Sequence, residues 1–131
     1  MPEKQDLDTL CETIIAACIE VHKQLGPGLL ESVYHAALVV EFTERKIPFV
    51  SEYPIHAVFK GKDLGIGLRA DFLVQDTVIL EIKAVQEMTA DHSAIAITYV
   101  TLAKKPAALL INFNKALLTE DMRRLYPRRI T

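Results

Sequence analysis

Cysteine is scarce in this sequence, and its two cysteines are poorly placed to form a disulfide. Cys11 and Cys18 lie on one predicted helix, about 10.5 Å apart along its axis, which is more than a disulfide can span. No Cys-x-x-Cys pair and no Cys/His spacing typical of a zinc site is present. We therefore expect both cysteines to be small core residues of a protein in a reducing compartment.

Long uncharged apolar runs are also missing. Charged residues interrupt every candidate before it reaches the roughly 18 residues of a transmembrane helix. The first ten residues contain three carboxylates, a composition unlike that of a secretory signal peptide. These absences predict a soluble, cytoplasmic protein that does not associate with a membrane.

The chain has no strong excess of charge of either sign, since its net charge is −2. Such a balance gives no overall basic surface for nucleic acid. The one local basic cluster, Arg123-Arg124 with Arg128-Arg129, is either a solvated chain end or a small phosphate-binding patch. With 131 residues, half of them hydrophobic, the chain is long enough for one globular domain, residues 1–131.

The order of the predicted elements is α-α-β-β-β-α-β-α. Apolar residues recur every three or four positions from Leu7 to Leu25, and Gly26-Pro27-Gly28 ends this first helix. The remaining segments are a helix at 29–45, strands at 50–60, 64–74 and 78–85, a helix at 90–104 with Thr89 as its N-cap, a strand at 107–113 and a short final helix at 120–126.

This order predicts an α/β (α+β) domain with a mixed four-stranded sheet flanked by helices. The first three strands can form an antiparallel meander, and the strand–helix–strand unit from Val78 to Phe113 predicts a right-handed parallel crossover. The strand at 78–85 is the most apolar, so we expect it at the centre of the sheet.

Two apolar strands carry charge in the middle, where charge is costly to bury. If Val74 pairs with Val78 across the intervening turn, Asp71 falls directly opposite Glu81, with Cβ atoms about 5 Å apart. Lys83 lies two residues beyond Glu81 and hence on the same face. The hairpin thus presents two carboxylates and an ammonium together.

Two interpretations of this cluster are open. Asp71 and Glu81 fit a Mg²⁺ or Mn²⁺ site, since these ions prefer oxygen ligands. A lysine beside them, Lys83, would orient a water or stabilise charge on a phosphate. Alternatively, the three residues form a structural charge network on a solvated face of the sheet.

Two helices offer further polar residues. Glu31 and Tyr34 share one face of the second helix, with His35 close by, and Glu31 is a candidate third carboxylate. Equally, a glutamate in the first turn favours the helix dipole, and a tyrosine there is often a packing residue. On the third helix His92 and Tyr99 lie along one stripe, although a polar first-turn residue and a core residue account for them as well.

Several motifs, in order along the chain, resemble one known family. Gly28, Glu31 and Tyr34 match the G-x-x-E-x-x-Y signature of the GxxExxY proteins. The segments that also look like this family are 19–28, Arg69-x-Asp71, Glu81-Ile82-Lys83 and 110–114, so the resemblance covers about residues 10–125. The family is placed in the PD-(D/E)XK nuclease-like superfamily, which implies a restriction-endonuclease-like core.

The resemblance also implies roles for individual residues. Asp71 and Glu81 would be the principal metal ligands, Glu31 the acidic residue on the helix, and Lys83 the signature lysine. Related nucleases often carry Q-x-x-x-Y on the helix that follows. Here Ile95 stands at the glutamine position and only Tyr99 remains. Isoleucine can neither hydrogen-bond a ligand nor orient a phosphate.

We therefore expect a Mg²⁺- or Mn²⁺-dependent nuclease that hydrolyses phosphodiester bonds of DNA or RNA, in which the two tyrosines frame the pocket. The predicted site residues are Glu31, Tyr34, Asp71, Glu81, Lys83 and Tyr99. The alternative, favoured by Ile95 and the net charge, is a catalytically degenerate nuclease-fold module that binds a partner or nucleic acid. A small-molecule enzyme using Glu31, His35 or His92 has less support. A homodimer or a protein partner is compatible with these functions, but no sequence feature requires one.

Overall fold

The computed structural model of the chain describes residues 3–129. The elements in this range are α1 (Lys4–Leu25), α2 (Glu31–Glu44), β1 (Phe49–Phe59), β2 (Lys62–Val74), β3 (Val78–Lys83), α3 (Ala90–Leu102), β4 (Ala107–Asn112), a 3₁₀ helix (Leu118–Glu120) and β5 (Met122–Leu125). Each helix in the described range is too short or too polar to span a bilayer.

The strands form one mixed sheet in the order β1-β2-β3-β4-β5. β1, β2 and β3 are an antiparallel meander, β3 and β4 are parallel, and β5 returns antiparallel to β4. β3 is buried except at its last residue, because it lies in the centre of the sheet between helices on both faces. The predicted mixed α/β fold, the meander and the central strand are confirmed.

The prediction of a final helix at 120–126 is wrong, and the sheet has five strands rather than four. The 3₁₀ helix leads instead into β5, which pairs with β4 from Ala108↔Leu125 to Ile111↔Met122. Without β5, the edge of β4 would leave a row of backbone groups unpaired. A helix of this length gains too few hydrogen bonds to compete with that pairing.

Hydrophobic residues pack on both faces of the sheet. α1 and α2 cover the larger core, which includes Phe42, Phe72 and Phe113 and both free cysteines, Cys11 and Cys18. We call this side the α1/α2 face. α3 covers the other side, the α3 face, over a core made of Ile55, Ala70, Leu73, Ile79, Val100 and Ala108. The prediction that both cysteines are core residues is confirmed.

The turn between α1 and α2 is held by a tyrosine from α2. Gly26 ends α1 with a φ of 72°, a left-handed conformation that favours glycine. The Tyr34 hydroxyl donates to the Gly26 carbonyl at 2.6 Å and accepts from the Leu29 N–H at 3.2 Å, and the ring stacks on Phe113. Because Tyr34 is fully buried, these contacts fix where α2 begins.

The Tyr34→Phe variant is expected to lower the free energy of unfolding by about 1–2 kcal/mol, because it removes two hydrogen bonds at a buried turn and leaves the ring in place. Urea denaturation followed by circular dichroism measures the change. Tyr126→Phe, at an exposed tyrosine, is the matched control and should stay within about 0.5 kcal/mol of wild type. Equal stability of the two variants would show that the turn does not depend on the Tyr34 hydroxyl.

α3 begins with a capping box. The Thr89 hydroxyl accepts from the His92 backbone N–H, and His92 Nδ1 accepts from the Thr89 N–H. Arg123 of β5 donates to the carbonyls of Met88 and Thr89 and to the Ser93 hydroxyl, which ties β5 to the start of the helix. The predicted N-cap is confirmed, and His92 serves as the polar first-turn residue.

Two other arginines of the basic cluster also make internal contacts. Arg124 pairs with Asp8 of α1 at 2.7 Å, and the Arg128 guanidinium donates to the Thr98 hydroxyl at 3.1 Å. These contacts favour a structural role for the cluster over a phosphate-binding patch.

Candidate metal centre

The β2–β3 hairpin has the predicted register. Val74 pairs with Val78, and two further pairs follow in the same register, so that continuing the ladder places Asp71 opposite Glu81. The backbone ladder ends before that point. The Asp71 N–H donates to Glu81 Oε1 at 3.0 Å, and Asp71 Oδ2 accepts from the Ile82 N–H at 2.8 Å. The two carboxylates therefore take the place of backbone partners where the strands separate, and main-chain donors hold both of them.

β1 and β2 share an irregularity beside Asp71. Glu52 lies opposite Asp71 in the register of these strands and has a φ of 54°, a conformation that costs an L residue about 1–2 kcal/mol. In β2, Ala70 packs on the α3 face and Phe72 on the α1/α2 face, although residues two apart in a regular strand share a face. The side-chain alternation thus breaks at Asp71 while the pairing on either side keeps its register.

α2 adds a histidine to the carboxylates of the strands. His35 Nδ1 is 3.9 Å from Asp71 Oδ1, and His35 Nε2 is 3.7 Å from Glu52 Oε1 and 2.8 Å from Ser51 Oγ. One ligand atom from each of His35, Glu52 and Asp71 lies within 4.8 Å of the others, a spacing that suits one metal ion. These three residues also line, with Glu31, an open cleft of about 420 Å³.

Burial raises the pKa of the site carboxyls. The pKa of Glu81 is raised to about 8, first by burial and then by the charge of Asp71. The pKa values of Asp71 and Glu31 are also raised, in each case mainly by burial. Together with Glu52, the site holds four carboxyl groups beside a single lysine, Lys83. An excess of carboxylates over cations in a partly buried site favours the binding of a divalent cation.

Lys83 and Tyr99 both interact electrostatically with the site carboxylates. The charge of Lys83 lowers the pKa values of Glu31, Asp71 and Glu81 against the effect of burial. The pKa of Tyr99 is raised first by burial and then by the charges of Glu81 and Asp71. Among residues 3–129 the Lys83 ammonium forms no ion pair, so it is available to a ligand.

A buried amide fixes the chain just after Lys83. The Asn112 side chain donates to the Val85 carbonyl at 2.9 Å and to the Asp121 carboxylate at 3.1 Å. Its carbonyl oxygen accepts from the Val85 and Asn114 N–H groups, each at 3.1 Å. Asn112 is fully buried, so these four bonds hold the end of β3 in one position. They also account for Asn112 in the segment 110–114 singled out in the sequence.

Tyr34 is the predicted site residue that the structure places apart from the carboxylates. Its hydroxyl is occupied by the backbone of the α1–α2 turn, and its ring lies in the core. The spacing of Glu31 and Tyr34 follows from this turn, because Tyr34 fixes the start of α2 and Glu31 is the first residue of that helix. Ile95, at the position of the expected glutamine, is exposed on α3.

Two residues of the site, Glu52 and His35 as a candidate ligand, do not follow from the sequence pattern. Glu52 occupies a polar position in an alternating strand, and nothing in that alternation indicates that the strand changes face there. The available signal is the pairing of β1 with β2, since a hairpin that joins Phe49 to Val74 places Glu52 opposite Asp71.

A mixed sheet covered by helices, with carboxylates and a lysine where two strands separate, defines a nuclease-like α/β domain. The chain belongs to the PD-(D/E)XK nuclease superfamily, whose family model matches residues 8–125. Among solved structures it is similar to an alkaline exonuclease (LHK-Exo) from Laribacter hongkongensis, with 13% sequence identity over 89% of this chain and 82% of that chain and a TM-score of 0.47. No curated protein matches the chain. The superfamily expected from the motifs is confirmed.

Proposed function

We propose that the protein is a divalent-metal-dependent nuclease of the GxxExxY group. The observation that carries the proposal is the pair of Asp71 and Glu81, two largely buried carboxylates held by main-chain donors. Lys83 beside them forms no ion pair within the described range. A bound cation compensates such like charges. Membership of the nuclease superfamily supports the reaction class, and the spacing of Gly28, Glu31 and Tyr34 supports the group.

The metal ligands would come from α2 and from the strands β1, β2 and β3 around Asp71. Asp71, Glu81 and Glu31 would hold Mg²⁺ or Mn²⁺, ions that prefer oxygen ligands. His35 and Glu52 would contribute from the α2 side, and an imidazole ligand favours Mn²⁺ over Mg²⁺. When bound, the ion would polarise the phosphate and lower the pKa of the attacking water.

The chain's own side chains would bind and orient the substrate. Lys83 would contact a nonbridging phosphate oxygen and offset the negative charge that develops during hydrolysis. Tyr99, from α3, would border the phosphate next to the carboxylates. The main-chain bonds to Asp71 and Glu81 hold the carboxylates in fixed orientations, so that little reorganisation accompanies the reaction.

A cleavage assay on single- and double-stranded DNA and RNA tests the proposal. We expect the wild type to cleave with Mn²⁺ or Mg²⁺ but not with EDTA, and Asp71→Ala and Lys83→Ala each to lose about 100-fold or more of the rate. Asp76→Ala, at an exposed carboxylate on the β2–β3 turn, is the matched control and should retain full activity. Equal activity in Asp71→Ala, Lys83→Ala and the wild type would contradict the proposal.

A second candidate function is a catalytically inactive module of the same fold that binds nucleic acid or a protein. Ile95 favours it, because this position on α3 offers no hydrogen-bonding group. Calorimetry with Mn²⁺ separates the two functions. Absence of binding at millimolar Mn²⁺ would support the inactive module, whereas binding that Asp71→Ala removes would support the nuclease.

The Glu52→Gly variant is expected to be more stable than the wild type by about 1 kcal/mol and to bind Mn²⁺ about tenfold more weakly. Glycine adopts a positive φ without strain, while the loss of the carboxylate removes a candidate ligand. Glu52→Ala removes the carboxylate but keeps the strained backbone, so it should show the weaker binding alone. Chemical denaturation and calorimetry give the two quantities, and a Glu52→Gly protein with unchanged Mn²⁺ affinity would remove Glu52 from the ligand set.

A further inference from the structure

β1 and β2 continue past the sheet as a two-stranded arm, residues 56–67, which we call the β-arm. The last backbone pair between β2 and β3 is at Phe72, whereas β1 and β2 stay paired almost to the turn at Lys60-Gly61. Every residue of the β-arm except Ala57 is exposed. A two-stranded ribbon without a third strand is only marginally stable in water, and the exposed residues of the β-arm are open to a partner.

The β-arm carries large apolar side chains that have no cover. Val58, Phe59, Leu64 and Ile66 are 55%, 61%, 51% and 58% exposed. Scattered single apolar residues are common on protein surfaces, but four on one short ribbon mark a binding site. The charged residues of the β-arm indicate which class of partner it binds.

The β-arm and its base are positively charged, although the chain as a whole has a net charge of −2. Lys60 lies in the turn, Lys62 follows it and Arg69 stands at the base of the β-arm. Within residues 3–129 none of the three forms an ion pair. The one carboxylate of the β-arm, Asp63, is already bound by His56 Nδ1 at 2.9 Å and by a backbone N–H. The β-arm is therefore complementary to a polyanion, and two copies packed arm to arm would bring like charges together.

We propose that the β-arm binds double-stranded DNA beside the metal centre, with Lys60 and Lys62 on phosphates and Phe59 against the bases in a groove. This inference rests on the proposed nuclease function. A two-stranded ribbon fits a groove of B-form DNA, and proteins that bind the minor groove insert apolar side chains between base steps. β2 runs from Lys62 to Asp71 with an irregularity between Asp63 and Gly67, where Gly65 has a φ of 71°. The tip of the β-arm therefore lies less than about 30 Å from Asp71, within one turn of the duplex.

Fluorescence anisotropy with a labelled DNA duplex of about 20 base pairs, in EDTA so that no cleavage occurs, tests this proposal. The Lys60→Glu/Lys62→Glu variant is expected to bind the duplex at least about tenfold more weakly and to reduce the slope of log affinity against log salt by about 2. Phe59→Ser is expected to weaken binding without changing that slope. The matched control is Lys46→Glu/Lys104→Glu, which has the same charge change at exposed lysines outside the β-arm and should bind like the wild type.

Several outcomes would overturn the proposal. They are no binding of the duplex by the wild type, equal loss of affinity in the control, or tighter binding of a single strand of the same sequence. Sedimentation equilibrium can give a further outcome that overturns the proposal. If Phe59→Ser turns a dimer into a monomer while duplex affinity stays unchanged, the β-arm contacts a second copy of the chain instead.

Failure of this proposal can be told apart from failure of the nuclease function. If the wild type binds Mn²⁺ and cleaves DNA, and the β-arm variants bind the duplex normally, only the assignment of the β-arm is wrong. If the wild type neither binds Mn²⁺ nor cleaves, but duplex affinity still depends on Lys60 and Lys62, the β-arm assignment holds and the nuclease function fails.

Discussion

The Glu81→Gln variant is expected to be more stable than the wild type at about pH 8 and above in the absence of metal, and to bind Mn²⁺ about 100-fold more weakly. Burial and the neighbouring charge of Asp71 raise the pKa of Glu81 from 4.5 to about 8. Between these values the folded protein keeps a proton that the unfolded chain has released. Its free energy of unfolding therefore falls as the pH rises from about 4.5 to about 8, by an amount on the order of 3–5 kcal/mol.

Glutamine removes this pH dependence because it cannot ionise, while its side-chain oxygen can still accept the Asp71 N–H bond. Urea denaturation between about pH 5 and pH 9 in EDTA measures the effect. Glu87→Gln, at an exposed glutamate, is the control and should follow the wild-type curve. In the wild type, Mn²⁺ affinity should rise with pH through this range, because the metal must displace the Glu81 proton. Parallel stability curves for the wild type and Glu81→Gln would contradict the assignment of this pKa.

The second large effect is expected for Asn112→Leu, which should lower the free energy of unfolding by about 3–5 kcal/mol. The leucine has a similar branched shape but leaves the N–H and carbonyl of Val85 and the N–H of Asn114 without their side-chain partner. An unsatisfied polar group away from water costs about 1–3 kcal/mol, so three partly buried backbone groups and the lost bond to the half-buried Asp121 account for the decrease.

Asn114→Leu is the matched control for this change, because Asn114 is only half-buried. We expect it to cost less than about 1 kcal/mol. Both variants are compared by urea denaturation at low temperature, where Asn112→Leu should remain folded. A residual difference in Mn²⁺-dependent cleavage would report whether the end of β3 positions Lys83. Equal stabilities of the two variants would show that the amide network is dispensable.

The register of the β2–β3 hairpin could be predicted from the sequence because only one pairing satisfies both strands. A short turn and two strongly apolar strands leave a single alignment in which Val74 meets Val78, and the position of Asp71 opposite Glu81 follows. The position of Glu31 in the same cleft as Asp71 also has a local cause, since the glycine-rich turn and Tyr34 fix the first residue of α2.

The parts that could not be predicted depend on contacts between distant segments. β5 forms because β4 has an open edge, and a seven-residue segment does not encode that partner by itself. Glu52 joins the site because β1 and β2 change face together, an event that leaves the pairing register untouched and therefore gives no periodic signal. The local sequence therefore predicts the β2–β3 register and the start of α2, whereas the addition of β5 and Glu52 depends on contacts between distant segments.

The two buried cysteines of α1 have a practical consequence for all of these measurements. Alkylating reagents attack the thiolate, and burial raises the pKa of both Cys11 and Cys18, so the folded protein should react slowly. Modification then requires opening of the domain, and its rate, followed by mass spectrometry, reports how often that opening occurs. Because the chain has only these two cysteines, a Lys62→Cys substitution would provide a single fast-reacting thiol at the tip of the β-arm, where a fluorophore can be attached without altering the native pair.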